Sequence, residues 1–241
     1  MRTTARHLTR EHAMRNYLTE FIGTFFLVLT IGLTVLLESP MAPLAIGASL
    51  MIMVYMGGHV SGGHYNPAVS LAVLLRGKMA STGEFVGYVV SQCLGAVAAA
   101  LAVMAILGRS FAPAPGPDAT VGGALLVEFL YTFALALVVL NSAASAKTHG
   151  NSFYGLAIGF TIVVAAFAGG PVSGGAFNPA VGIGPILVHA LSGAGGFGDL
   201  WLYLVGPLLG GAVAAAVFGL QEREPLQLHA EPSRQPESRP A

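Results

Sequence analysis

The residues best placed to do chemistry in this chain come as a pair. Val60-Ser61-Gly62-Gly63-His64-Tyr65-Asn66-Pro67-Ala68-Val69 recurs as Val172-Ser173-Gly174-Gly175-Ala176-Phe177-Asn178-Pro179-Ala180-Val181, identical at eight of ten positions. Asparagine is among the best N-cap residues, and proline is favoured at the first helical position, so each motif starts a helix. A helix N-terminus carries roughly half a positive elementary charge. Two such ends facing one another repel cations, while the asparagine amides offer N–H donors to whatever passes between them. The Ser-Gly-Gly stretches, Ser61–Gly63 and Ser173–Gly175, read as unwound backbone. In a membrane that is tolerated only where it lines a cavity or is buried in protein, and its carbonyls then supply acceptors. Donors at a centre and acceptors leading to it suit water and small neutral polar solutes. One Asn-Pro-Ala alone would be an ordinary helix cap; two in one chain point to a pore.

Two carboxylates are duplicated as well. Glu20-Phe21-x-x-Thr24-Phe25-x-Leu27 matches Glu128-Phe129-x-x-Thr132-Phe133-x-Leu135. Inside an apolar stretch an ionised carboxylate costs a few kcal/mol unless paired or hydrogen-bonded. A proton or ion relay is one reading. Duplication at equivalent positions favours the other, a structural brace that accepts N–H bonds from the neighbouring loop. The single cysteine, Cys93, excludes an intramolecular disulfide and any multi-cysteine metal site. His59 and His64 have no third ligand beside them for a metal, and no cofactor is implied. Ser-His-Asp, phosphate-loop and paired-carboxylate catalytic patterns are absent, so an enzyme is not expected.

These groups need elements to hold them, and the composition says which medium those elements occupy. The chain has 241 residues, 54% hydrophobic and 9% charged, against about 25% charged in a soluble domain. Mean hydropathy is +0.72. The net charge of zero offers no basic surface to nucleic acid. Stretches 17–37, 43–60, 82–107, 121–140, 153–168 and 200–218 are long and apolar enough to cross a bilayer. Segments 66–75 and 178–189 are too short and read as re-entrant half-helices. Of the eleven basic residues only Arg109 lies on the far side of this topology. The positive-inside rule therefore places both termini in the cytoplasm. Nine arginines against two lysines, with abundant Ala and Gly, point to a GC-rich and bacterial source, hence a multi-pass protein of the inner membrane. The organisation expected is a cytoplasmic basic tail over 1–16, a channel domain over 17–220 and a disordered cytoplasmic tail over 221–241. That last segment, rich in Pro, Glu, Arg and Gln, buries too little apolar surface to fold. Trp201, Tyr203 and Tyr17, near span ends, suit the interfacial belt. Gly83/Gly87, Gly155/Gly159 and Gly206/Gly210 read as close-packing pairs.

The motifs recur in order at offsets of 108 to 115 residues, so the chain is a duplication, with halves of about 17–107 and 121–218. Each half holds three spans. An odd number makes the second half enter the membrane from the opposite side, so the repeats are inverted and the half-helix N-termini meet near the midplane.

The paired Ser-Gly-Gly-x-aromatic-Asn-Pro-Ala motifs, the glutamates of the first and fourth spans and Gly58-His59 resemble the aquaporins, the major intrinsic protein family of water and glycerol channels. The resemblance covers about residues 14 to 220. It implies an all-α membrane fold of six transmembrane helices plus two half-helices, one pore per subunit in a homotetramer, and glutamates 20 and 128 as braces. It also implies a pore-lining role for Gly62, Gly63, His64, Gly174 and Ala176, with His64 on the cytoplasmic side. The family's outer selectivity filter aligns with Ile46, Ala166, Gly175 and Val181. Water-selective relatives place an aromatic, a histidine, a small residue and an arginine there; glycerol facilitators place aromatics and the same arginine. This chain fits neither, since the arginine position holds Val181. The function expected is passive passage of water and small uncharged solutes such as glycerol, urea or ammonia through a filter without the usual arginine. The alternative is a coupled secondary transporter, which also uses inverted repeats but needs ionisable ligands at the midplane.

Overall fold

The computed structural model describes residues 2–222 and is all-helical over them. Eight α-helices follow in order: α1 Arg2–Leu36, α2 Ala42–Ser61, α3 Pro67–Leu75, α4 Thr82–Leu107, α5 Val121–Val139, α6 Tyr154–Ser173, α7 Pro179–Leu191 and α8 Leu200–Gln221. Six carry apolar runs long enough to span a membrane: Ala13–Leu36, Ala42–Ser61, Thr82–Leu107, Val121–Ala144, Tyr154–Ser173 and Leu200–Gln221. Helices α3 and α7 are the two short ones.

The ends differ from the sequence expectation in instructive ways. Helix α1 starts at Arg2, so the backbone of the basic tail continues the first span as helix. The fourth span runs past 140 as a π-helical turn, Leu140–Ala144, and a 3₁₀ turn at Ala146–Thr148 follows. The fifth does not stop at 168. It passes through Gly169, Gly170 and Pro171 to Ser173, where Gly174 caps it at φ 86° and donates its N–H to the Gly170 carbonyl. Helix α8 reaches Gln221, and Gln221 Oε1 and Glu222 Oε1 accept hydrogen bonds from Asn141 Nδ2 and Ser145 Oγ. The expected disordered tail therefore starts no earlier than 223; residues 223–241 lie outside the described residues.

Helix pairs repeat as the sequence does: α1 packs on α2 and α4, α5 packs on α6 and α8, and α2 meets α6 across the two halves. Where α1 crosses α4, a Cβ on Gly95 would strike the Phe21 carbonyl; where α5 crosses α8, a Cβ on Gly210 would strike the Phe129 carbonyl. Both crossings bring backbone against backbone, as bilayer helices do when interface residues are small. Gly87, Gly155, Gly159 and Gly206 also meet a neighbouring helix, at Tyr17, Tyr55, Met51 and Glu128. Gly83 does not. It is exposed in the first turn of α4, so the expected Gly83/Gly87 pair reduces to Gly87. Large apolar side chains such as Phe26, Ile52, Val90, Phe160 and Leu209 are 45% or more exposed on the outer faces. With no water to compete for them, such faces suit lipid. The protein is a multi-pass membrane protein.

Candidate pore and its selectivity region

Asn66 and Asn178 cap α3 and α7 from extended backbone, at φ −157° and −163°. Each side-chain oxygen accepts from the backbone N–H two residues on, Ala68 or Ala180, at 2.9 Å. Each amide nitrogen crosses to the other half: Asn66 Nδ2 donates to the Phe177 carbonyl at 2.9 Å, and Asn178 Nδ2 to the Tyr65 carbonyl at 2.8 Å. The two helix N-termini therefore meet, tied by reciprocal bonds. An amide nitrogen carries two hydrogens, so each asparagine retains one for a solute.

The chain reaches each asparagine through a left-handed turn. Gly62 and Gly174 stand at φ 90° and 86°, and Tyr65 and Phe177 both stand at 49°. For an L-residue that region costs about 1–2 kcal/mol. What offsets the cost is a buried carboxylate. Glu20 Oε1 accepts from Ser61 Oγ at 2.6 Å and His64 N at 3.0 Å, and Oε2 accepts from Tyr65 N at 2.7 Å and Gln92 Nε2 at 2.7 Å. Glu128 does the same in the other half, accepting from Ser173 Oγ, Ala176 N and Phe177 N at 2.8, 3.0 and 2.6 Å. Both glutamates are fully buried. Ser61 and Ser173 are not unwound as the sequence suggested. They close α2 and α6, and only the glycines that follow leave the helix.

The N–H groups of Gly63 and Gly175 turn to Ser61 and Ser173 Oγ and the next two in each loop to the carboxylates. The carbonyls of Gly62, Gly63, His64, Gly174, Gly175 and Ala176 accept no hydrogen bond among the described residues. All six residues border a line of three cavities. A throat of about 30 Å³ is bordered by Asn66, Asn178, His64 and a wall of aliphatic side chains including Leu27, Leu50, Leu135 and Ile158. That is room for about one water at a time. At one end it shares residues with a vestibule of about 350 Å³ carrying Phe111 and Pro113. At the other it shares His64 and Val139 with a second, also about 350 Å³, carrying Lys78, Glu84 and Tyr88. Ile46, Ala166, Gly175 and Val181 border both the throat and the Phe111 vestibule, so the structure brings these four together where the two join. Among the described residues, no charged side chain borders that vestibule. Arg109 is exposed and donates instead to the Leu36 carbonyl at 2.6 Å, capping α1.

A family model described as "Major intrinsic protein" matches residues 7–218. The chain belongs to the major intrinsic protein family. Glycerol uptake facilitator protein-like 6 of Lactiplantibacillus plantarum is 36% identical over 217 residues, 84% of this chain and 95% of the relative. Aquaporin NIP1-4 of Oryza sativa subsp. japonica is 36% identical over 212 residues, 84% and 75% of the two chains. Among solved structures, the aquaglyceroporin from Plasmodium falciparum superposes with a TM-score of 0.76 at 22% identity, over 86% of this chain and 95% of that one, which shows the shared fold.

Two residues of this major intrinsic protein do more than the sequence suggested. Tyr203 is fully buried rather than interfacial, and its hydroxyl donates to the Ser173 carbonyl at 2.6 Å. Tyr88 does the same to the Ser61 carbonyl at 2.7 Å. Their offset of 115 is that of Gly95 and Gly210, which was the available signal. Tyr203→Phe leaves that carbonyl without its donor and is expected to cost about 1–3 kcal/mol, read as a lowered melting temperature in detergent with flux retained. His59, which accompanies the motif in the sequence, is exposed and makes no hydrogen bond to the loop. Among the described residues, no group of three His, Cys, Asp or Glu side chains is placed to hold a metal.

Proposed function

We propose that the chain is a passive channel for water and small uncharged solutes, with a wide and weakly polar filter at the Phe111 end. The observation that carries this reading is the throat itself. Gly63, His64, Gly175 and Ala176, whose carbonyls meet no donor among the described residues, border it with Asn66 and Asn178, and none of its lining residues carries a carboxylate. The buried carboxylates of Glu20 and Glu128 accept from the N–H groups of their loops and act as braces. That disfavours a coupled transporter, which needs an ionisable ligand at this depth. The printed names of the relatives, a glycerol uptake facilitator and an aquaporin, support the same class of solute.

Three of the four filter side chains, Ile46, Ala166 and Val181, are aliphatic, and Gly175 has none. The filter therefore offers size and backbone carbonyls but no side-chain donor. Both termini and the Lys78 vestibule are assigned to the cytoplasm on the distribution of basic residues, and a homotetramer follows from the family resemblance. Stopped-flow light scattering on proteoliposomes is the test. Water flux is expected well above that of protein-free vesicles, together with flux of glycerol, urea or ammonia that needs no sodium or proton gradient. Water flux with none of the three solutes would reject the wide filter, and gradient-dependent uptake would favour the transporter.

A further inference from the structure

The two half-sites differ in one respect that the shape of the loops does not require. Glu128 holds its loop with three donors, and Glu20 accepts the equivalent three and a fourth, Gln92 Nε2. Gln92 Nε2 also donates to Ser70 Oγ at 3.0 Å, and Ser70 Oγ lies 3.0 Å from His64 Nδ1. At the equivalent positions the second half has Pro207, Gly182 and Ala176, so this chain of side chains is missing there. Yet Tyr65 and Phe177 share the same φ of 49°. The extra polar chain is therefore not what shapes the loop.

Its hydrogens can be followed one by one. Glu20 acts only as an acceptor, because its partners are two backbone N–H groups, a hydroxyl and an amide. That sets the Gln92 amide with its nitrogen toward Glu20; the flipped amide would set its oxygen against the carboxylate oxygen 2.7 Å away. Both amide hydrogens are then used, one on Glu20 Oε2 and one on Ser70 Oγ. Ser70 Oγ has one hydrogen of its own. Thr24, Thr30 and Ser142 return theirs to the carbonyl four residues back, but Ser70 does not, and His64 Nδ1 is the acceptor within reach. Nδ1 is therefore bare and the ring proton sits on Nε2, since the bond made by one ring nitrogen fixes the other. A Cβ built on Gly62 would stand 3.0 Å from His64 Nε2, and both residues border the Lys78 vestibule.

We propose that Gln92 and Ser70 are positioning residues that lock His64 as the Nε2–H tautomer, making it a fixed hydrogen-bond donor to acceptor-bearing solutes at the Lys78 end of the throat. The proposal rests on the channel reading above. It gives the pore side-chain donors at that end and at the centre and none at the Phe111 end. A solute with a hydroxyl or carbonyl oxygen is met by a donor, and one without an acceptor gains nothing there.

The test is ring-nitrogen NMR on protein labelled with ¹⁵N-histidine in vesicles, with His64 assigned by difference against His64→Gln. One protonated Nε2 and one bare Nδ1 are expected. Ser70→Ala should give a mixture of tautomers and lower water flux roughly twofold to tenfold, the worth of one hydrogen bond. Ser70→Thr keeps the hydroxyl and should restore both readings, and Gln92→Met, similar in shape without the donor, should repeat the loss. A proton on Nδ1 in the unaltered protein, or an unchanged spectrum in both Ser70→Ala and Gln92→Met, would overturn the lock. Lower flux with an unchanged spectrum would overturn its role in conduction. If the unaltered protein conducts no solute above protein-free vesicles, the channel reading falls and the donor's role with it, while the spectrum still decides the tautomer.

Discussion

Glu20→Gln is expected to leave little folded protein, and Glu128→Gln to leave measurably more. Four donors converge on the Glu20 carboxylate. An amide keeps one acceptor oxygen and sets N–H against N–H on the other side. Two buried donors then lose their partner, at about 1–3 kcal/mol each. The sum, roughly 2–6 kcal/mol, is a large part of the 5–15 kcal/mol that ordinarily separates folded from unfolded. Glu128 has three donors, and only Phe177 N reaches its Oε2, so an amide nitrogen placed there strands one donor. The measurement is the yield of monodisperse protein after size exclusion, with the melting temperature of whatever survives. Both variants should lose yield before they change selectivity. Unchanged yield in Glu20→Gln together with altered ion conductance would replace the brace with a relay.

Most of the fold was legible because the bilayer imposes its own ruler. Apolar runs of about 20 residues must be spans, and the two that were too short followed the repeated motif. Sequence and structure part where a local signal meets a tertiary one. Gly169-Gly170-Pro171 reads as a helix end, yet α6 continues through it. A Cβ on Gly169 would stand 2.7 Å from Val127 and 3.1 Å from Phe177, so that glycine lets the helix approach α5 and the second loop. Tyr203 reads as interfacial from its place near a span end, yet it and its repeat partner Tyr88 are buried, each bonded to the carbonyl of a motif serine. The asparagines, the glycines and both glutamates were visible because they are duplicated. Gln92 and Ser70 were not, because the second half carries proline and glycine in their places, so comparing the halves gives no sign of them.

Val181→Arg is expected to cut glycerol and urea flux tenfold or more, to change water flux less and to leave proton exclusion intact. Val181 is buried where the throat of about 30 Å³ opens into the Phe111 vestibule of about 350 Å³. An arginine there can reach into the vestibule. It would narrow the junction among Ile46, Ala166 and Gly175 and add five donors where no side chain offers one. Larger solutes lose room and water gains a partner; a barrier raised by about 1.4 kcal/mol is enough for a tenfold loss of flux. Protons should stay excluded in both forms, because that barrier sits deeper. The N-termini of α3 and α7 meet at the asparagines and together present roughly one positive charge. At about 5 Å and an effective dielectric near 20, one charge repels a cation by roughly 3 kcal/mol. Loss of the cation's water in an aliphatic throat adds several kcal/mol. The check is paired vesicle assays of both forms, reading solute uptake and an internal pH-sensitive dye. Equal solute uptake in the two forms would remove Val181 from the constriction. Free proton leakage through the unaltered protein would mean that the facing helix ends do not supply the barrier, and that an arginine at the filter is needed for it.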